Sequence, residues 1–348
     1  MWFRRAQRQI LFLSASPVDE VWTRSTALAC HKAGLSFEVA IVGDCSTGVG
    51  AEALALYKKA GIRARSTSFA AAANIPTQMA ITASSGLDRT IFPTSAKCFV
   101  HMPHSIVSLH MIYPKGAFDG YDVLFAAGKH HVAEWNAIHK TQKPVYETGY
   151  GKLDVLHEKM LQHTRSRNPK PHLLIAPSWG PDNLLDRCGV ALAKACLAAG
   201  YDVTVRPHPL FFLDKAPVLE VLKTIRGITI ESPFDGDAAI FNADILVGDY
   251  SGIGFEFAAL RGKPVISVEV GLKIVNADWQ SYGVEPLEIT HRKKLGPVVT
   301  ADVPSILAAI KAAEQQAASS DISYLSVPPG GCATAALQVI QSLLAGAA

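Results

Sequence analysis

Short apolar runs and amphipathic stretches alternate along the whole of this 348-residue chain, and that alternation constrains the fold more than any other feature. A short apolar run bounded by turn residues reads as a buried strand. A longer stretch with apolar residues three and four apart reads as a helix. Strands are predicted at 10–15, 37–42, 62–66, 97–102, 123–126 and 145–148, then at 172–176, 202–206, 227–231, 245–247 and 265–268. Helices are predicted at 18–33, 51–60, 76–83 and 129–138, then at 182–199, 215–225, 237–242, 254–260, 303–317 and 334–344. Strand and helix in turn argue for an α/β protein with parallel sheets and right-handed crossovers.

The chain is long enough for two domains. The polar, basic, proline-containing stretch "TRSRNPKP" at 164–171 is the natural boundary, because a new apolar strand starts directly after it. We expect one doubly wound domain over residues 1–163, with the final helix at 333–348 a candidate to complete it. A second is expected over residues 171–330. Two such domains set the carboxyl ends of their strands around a shared central cleft, where ligands bind. With 49% hydrophobic and 18% charged residues the chain can build large cores and is not disordered.

Several function classes fall away. A net charge of +3, without arginine-rich or aromatic-interleaved patches, gives no argument for a nucleic-acid partner. No apolar run is long enough to span a bilayer. The stretch 1–8 carries Trp2, Phe3, Arg4, Arg5 and Arg8. It reads as a solvated leader or as a basic, aromatic foot on an anionic membrane surface. The apolar run after it is too short for a secretory signal. Cys30, Cys45, Cys98, Cys188, Cys196 and Cys332 include no Cys-x-x-Cys pair, so neither a disulfide framework nor a zinc site is expected. A reducing cytoplasm is the default location.

Four strand ends carry residues suited to chemistry. The stretch "DILVGDYSGIGFEFAALRGKPVI" at 244–266 runs strand, turn, helix, strand. The first N–H groups of a helix have no intrahelical partner and carry partial positive charge, so a phosphate settles there. Ser251 offers a hydroxyl or a cap, and Gly252 and Gly254 lack a Cβ that would hold a diphosphate away. Asp249 repels phosphate; its expected work is to orient a histidine or bind an acceptor hydroxyl. Taken alone, this turn reads first as an ordinary capped helix. In "VTVRPHPL", a β-branched strand ends in Arg206 and in His208 between two prolines, stiff enough to aim an imidazole at charge developing on a leaving group. In "CFVHMPHSIVSLH", His101, His104 and His110 are alternative general bases for an acceptor hydroxyl. Their spacing matches no helical zinc pair. In "LIAPSWG", Ser178 is a candidate phosphate donor, and Trp179 is a candidate to pack on a base or close the cleft.

Other stretches mislead. The segment 48–53 fits a relaxed G-x-G-x-x-A fingerprint, but no acidic residue closes the following strand, which reads Arg63-Ala-Arg65-Ser66. No nicotinamide cofactor is expected. The Asp235-Gly236-Asp237 triplet imitates a metal motif but ends no apolar strand. Gly128-Lys129-His130-His131 opens a helix and reads as surface, with weak phosphate binding the alternative.

In order and spacing, these motifs resemble the CDP-glycerol:poly(glycerophosphate) glycerophosphotransferase family, the teichoic-acid and capsule polymerases. "APSW" at Ala176, "RPHP" at Arg206, "DILVGDYSGIGFEF" at Asp244, "KPVI" at Lys263 and "ETGYGKLD" at Glu147 carry the resemblance, over roughly residues 95–270. It implies a GT-B architecture, two Rossmann-like domains with the donor on the C-terminal one and the acceptor side on the first. His104 takes the place of the family's N-terminal-domain base. His208 takes that of the histidine on the donor diphosphate, and Asp249, Ser251 and Gly252 that of the donor-phosphate turn. The chain departs from the family where "HGTxxK" reads His104-Ser-Ile-Val-Ser-Leu without the lysine, where Gly252 replaces a serine, and where Glu256 replaces an aspartate.

The expectation is therefore a transferase moving a polyol phosphate from a CDP-linked donor to a hydroxyl of a glycan or lipid-linked acceptor, releasing CMP. Catalysis falls to His104 and His208, and donor binding to Ser178, Arg206, Asp249, Ser251 and Gly252, with no metal and no cofactor. The expected location is the cytoplasm, and a membrane-linked acceptor would add peripheral contact with the inner membrane face. A GT-B glycosyltransferase using a nucleotide sugar, and a nucleotide- or glycan-binding protein without turnover, are the alternatives.

Overall fold

A computed structural model describes residues 8–165, 169–234, 236–315 and 321–346. The chain divides into two units. The first comprises Met1–His157, Val275–Val284 and Leu325–Ala348, and the second Glu158–Ile274 and Glu285–Tyr324.

The first unit holds a seven-stranded sheet: β1 (Arg8–Ser14), β2 (Phe37–Val42), β3 (Ala64–Thr67), β4 (Thr77–Thr82), β5 (Cys98–His101), β6 (Val123–Ala126) and β7 (Val145–Glu147). Its order is β3-β2-β1-β4-β5-β6-β7, with every neighbouring pair parallel. The second unit holds β8 (His172–Ala176), β9 (Asp202–Val205), β10 (Ile228–Ile230), β11 (Ile245–Gly248), β12 (Val265–Glu269) and β13 (Val298–Thr300) in the order β10-β9-β8-β11-β12-β13, again all parallel. Parallel strands need helices on both faces, so the central strands are apolar throughout. Ile10, Leu11, Phe12 and Leu13 of β1 are all fully buried, facing opposite sides in turn.

One predicted helix is a strand. The stretch 76–83 holds β4 (Thr77–Thr82), paired between β1 and β5 with Met79, Ala80 and Ile81 buried. Alanine and methionine favour helices, but a short apolar run cannot be assigned by periodicity, and here the gap at the sheet centre decides. The three-residue edge strand β13 carries too short a pattern to be read from sequence.

The C-terminal helix Cys332–Gly346 packs Ala336, Ile340 and Leu344 into the first unit's core with Ile10, Phe12 and Ala27. Asp154 holds its start: Oδ1 accepts the Gly330 and Cys332 amides at 2.8 and 3.2 Å, and Oδ2 accepts Ala333 at 2.7 Å. Gly149 lies against the same turn at φ 80°, where a Cβ would stand 2.6 Å from Cys332 Sγ. Asp154→Ala is expected to cost about 2 kcal/mol, as a capping carboxylate serving several amides does. Hydrogen exchange should show the loss first in Cys332–Gly346.

Candidate functional site

In the second unit the strand order reverses between β8 and β11. The loops after such a pair diverge and open a crevice at their carboxyl ends. Both loops are ones the sequence marks: Pro177-Ser178-Trp179 follows β8, and Asp249-Tyr250-Ser251 follows β11.

Asp249 ties them together. Its carboxylate is buried, with Oδ1 accepting the Ser178 amide at 2.7 Å and Oδ2 the Leu184 amide at 2.8 Å. Burial pushes its carboxyl above the ordinary range, while these bonds and the Lys273 charge pull the other way. Sequence pointed Asp249 at a histidine or an acceptor hydroxyl; in the structure each of its oxygens accepts a backbone amide of the segment after β8, and so joins two diverging loops at their base. Ser178, also buried, takes part through its amide. Ser251 is the N-cap of the helix Gly252–Arg261, with extended backbone and Oγ 3.5 Å from the Ile253 amide, a long cap. Ser251, Gly252 and Ile253 remain half-buried, so the helix start is open to solvent. Gly254 has a different reason to lack a side chain: a Cβ there would come within 3.2 Å of Val265 Cγ1, so it lets the helix pack on β12.

At the end of β9, Arg206 is buried and its fork is engaged within the unit. It donates to Glu231, to the Gly236 carbonyl at 2.6 Å and to Asp237 at 3.1 Å. That fastens the segment after β10 to the end of β9. Asp237 also pairs with Lys159 at 2.7 Å; Asp235 lies outside the described residues. His208 caps the short helix Pro209–Leu213, its Nδ1 accepting the Leu210 amide at 3.3 Å. The proton of the neutral ring is then on Nε2, which makes that nitrogen a donor. Trp179, 36% exposed, lies with its ring centre 6.3 Å from that of His208.

In the first unit the reversal falls between β1 and β4. Asp19 follows β1, Ala83 and Ser84 follow β4, and His104 follows the adjacent β5; Ser84 Oγ donates to Asp19 Oδ2 at 2.9 Å. The His104 ring stands edge-on to Trp22 and Tyr113, at 5.6 and 5.2 Å between centres. Its Nδ1 lies 2.9 Å from the Ala83 carbonyl and its Nε2 3.2 Å from the Tyr113 hydroxyl. A carbonyl only accepts, so Nδ1 carries the proton and Nε2 presents its lone pair. Burial lowers the imidazole below its ordinary value, against the Ala83 bond and the Asp19 charge, which raise it. The His104 ring is thus neutral near pH 7. Tyr150 donates to the His104 carbonyl at 2.9 Å and receives the Trp22 indole N–H at 2.7 Å, fixing the loop.

The other histidines do different work. His101 is fully buried against Phe118 and Tyr121, and burial drives it down to about 3. His110 donates from Nε2 to the Val284 carbonyl at 2.8 Å, and the Asn276 side chain donates to the His110 carbonyl at 2.9 Å; together they hold the segment Val275–Val284. His131, read from sequence as surface, is fully buried, with Nε2 2.9 Å from the Val107 carbonyl. No group of three or more His, Cys, Asp or Glu among the described residues is placed to hold a metal.

A family profile, CDP-Glycerol:Poly(glycerophosphate) glycerophosphotransferase, matches residues 114–323, more than half of the chain. The chain belongs to this family. It is a glycerophosphotransferase-type transferase, of the class that serves cell-wall polymer synthesis. Ser178, Arg206, His208, Asp249, Ser251 and Gly252 lie inside the matched span, and His104 just before it. Solved structures agree on the fold, which is GT-B with two Rossmann-like domains. The wall teichoic acid polymerase TagF superposes with a TM-score of 0.60 at 12% identity, over 97% of this chain and 89% of that one. S. aureus MnaA in complex with UDP gives 0.64 at 12%, over 97% of each chain. The UDP-GlcNAc 2-epimerase of Neisseria meningitidis bound to UDP-GlcNAc gives 0.60 at 13%, over 97% of this chain and 100% of that one. Identities this low speak for the fold alone. No curated protein matches by sequence.

Sequence reasoning missed several residues of this glycerophosphotransferase. Tyr113 and Trp22 come to His104 from stretches that carry no motif, and Tyr150 from the "ETGYGKLD" segment, where nothing in the sequence marks it as a partner of His104. Arg292 stacks on Tyr250 with its guanidinium carbon 3.9 Å from the ring centre and donates to the Tyr250 hydroxyl at 2.8 Å, stiffening the turn from a distant segment.

Proposed function

We propose that this glycerophosphotransferase moves a polyol phosphate, glycerol phosphate or a relative, from a CDP-linked donor to a hydroxyl of a glycan or lipid-linked acceptor. The observation that carries the reading is the half-open start of the helix Gly252–Arg261, set by Asp249 at the strand-order reversal of the second unit. Amide N–H groups there meet a diphosphate at no cost in reorganisation. His208, with a donor at Nε2, is suited to the oxygen that leaves.

In the reaction the acceptor oxygen forms a bond to the β-phosphorus, the bond from that phosphorus to the bridging oxygen breaks, and CMP departs with the electron pair. His104 receives the acceptor's proton. Positioning and charge supply the rate, as in phosphoryl transfer generally. Asp249, Ser178 and Arg206 act in this reading by shaping the donor loops, and Ser251 and Gly252 by meeting phosphate oxygens. The twofold task gives residues 1–163, completed by the C-terminal helix, the acceptor side, and residues 171–330 the donor.

No described helix is long and apolar enough to cross a membrane. The basic, aromatic stretch proposed as a peripheral membrane contact lies, for residues 1–7, outside the described residues.

The test is to incubate the full chain with CDP-glycerol, CDP-ribitol and nucleotide sugars, with a short oligo(glycerol phosphate) as acceptor, and to identify the nucleotide released. CMP from a CDP-polyol is the expected product. A nucleoside diphosphate released from a nucleotide sugar instead would mean glycosyl transfer by attack at carbon. Tight binding of either donor without turnover would mean a binding protein.

A further inference from the structure

We propose that the acceptor's proton reaches His104 through the hydroxyl of Tyr113, which makes Tyr113 a second catalytic residue. The inference rests on the reading of His104 as the base and asks how its lone pair is reached. An imidazole has one in-plane lone pair when its other nitrogen carries the proton. The Ala83 carbonyl, 2.9 Å from Nδ1, fixes that proton on Nδ1, so only Nε2 can act as a base. The Tyr113 hydroxyl stands 3.2 Å from Nε2 and donates into that lone pair. A substrate hydroxyl and the phenol cannot both occupy it. The arrangement therefore admits the acceptor's proton by exchange at the phenol oxygen.

The step balances without a further reactant. As the acceptor oxygen bonds to phosphorus, its proton passes to the Tyr113 oxygen, and the phenol's own proton passes to His104 Nε2. The tyrosine ends as it began. His104 ends as an imidazolium that still donates from Nδ1 to Ala83.

The surroundings suit a transient cation at that ring. Asp19, tied to Ser84 at 2.9 Å, lends it negative charge, while His101 on the preceding strand is held neutral by burial. Trp22 and Tyr113 pack against the imidazole, the Ala83 carbonyl holds Nδ1, and Tyr150 binds the His104 carbonyl, which together keep Nε2 as the nitrogen on offer. Tyr113 is itself fixed: it is 4% exposed and packs edge-on against Phe118 at 5.2 Å. It follows directly on the short helix Leu109–Ile112 in "SLHMIY", where the family's lysine pattern is missing.

The test measures CMP release from CDP-glycerol with an oligo(glycerol phosphate) acceptor in Tyr113→Phe, His104→Gln and the unsubstituted chain. Tyr113→Phe is expected to lower kcat by about 10²-fold, the usual worth of one positioned proton-transfer group, with the KM for CDP-glycerol within twofold. Replacing Tyr113 by a ring-fluorinated tyrosine keeps the shape but ionises at lower pH. It should move the basic limb of the kcat–pH profile down, which a merely packed ring would not do. It also decides the matter if Tyr113→Phe fails to fold. Full kcat in Tyr113→Phe, or an unmoved basic limb in the fluorinated protein, overturns the relay. Full activity in His104→Gln overturns instead the assignment of the base on which the relay rests.

Discussion

His104→Gln leaves CDP-glycerol affinity within about twofold and lowers transfer by about 10²–10⁴-fold, the range spanned by single general bases. The expectation follows from where His104 stands: on the first unit, after β5, among Asp19, Ser84 and Tyr113, whereas the groups assigned to the donor belong to the second unit. A loss confined to kcat marks an interaction made only as the reaction proceeds. The pH profile carries the same signature. Burial holds the imidazole below its ordinary value, so its neutral, basic form persists below pH 6.5, and the acid limb of kcat/KM should fall under that value rather than at it. Stability falls in the same region. His101 and His139 are lowered to about 3 and about 4, so the unfolded chain binds more protons than the fold below pH 6.5. Their contribution is complete above pH 6.5 and is lost as pH drops toward those values. Thermal midpoints at each pH separate the two effects.

Asp249→Ala destabilises the second unit by about 2–5 kcal/mol and abolishes donor binding under conditions where the chain is still folded. Two buried backbone amides, those of Ser178 and Leu184, lose their acceptor together, and each stranded donor costs about 1–3 kcal/mol. The cost is not one of charge attraction. Burial raises the Asp249 carboxyl, so the fold binds its proton more tightly than the unfolded chain does, and this group's own titration favours the fold below its raised value. Asp249→Asn, which keeps one acceptor oxygen and turns an amide toward the other N–H, should recover about half of the loss. Urea denaturation of the three proteins measures the series, and calorimetric titration with CDP-glycerol measures the donor. Ser251→Ala, which leaves Asp249 in place, should weaken the donor with little change in stability.

The architecture could be read from sequence because a doubly wound fold writes itself in local pattern. Continuous apolar runs such as Ile10-Leu11-Phe12-Leu13 are buried on both faces, and "GDYSGIG" joins a strand to a helix as its glycines and capping serine suggest. β4 was not legible, since Met79-Ala80-Ile81 has no local reason to prefer a strand and acquires one only from β1 and β5 on either side. The turn after β11 was legible as a turn, but the work of its acid was not: Asp249 looks like a ligand until the loop after β8 comes beside it. Arg206 likewise reads as a phosphate ligand until Glu231 and Asp237 arrive from the segment after β10. By residue pattern alone His104 stood among three alternative histidines, and only the family resemblance singled it out. Burial of His101 against Phe118 and Tyr121 and the Val284 carbonyl facing His110 Nε2 distinguish them, and the latter comes from far along the chain. What sequence conveys least is partnership at long range, and Tyr113, Tyr150, Trp22 and Arg292 are of that kind.

The amide resonances of Gly252, Ile253 and Gly254, followed in isotopically labelled full-length protein as CDP-glycerol is added, test the central claim most directly. The account predicts large, saturable shifts in these three signals, weakened in Ser251→Ala. Signals that stay in place while CDP-glycerol binds and perturbs a different edge of the second unit would contradict it.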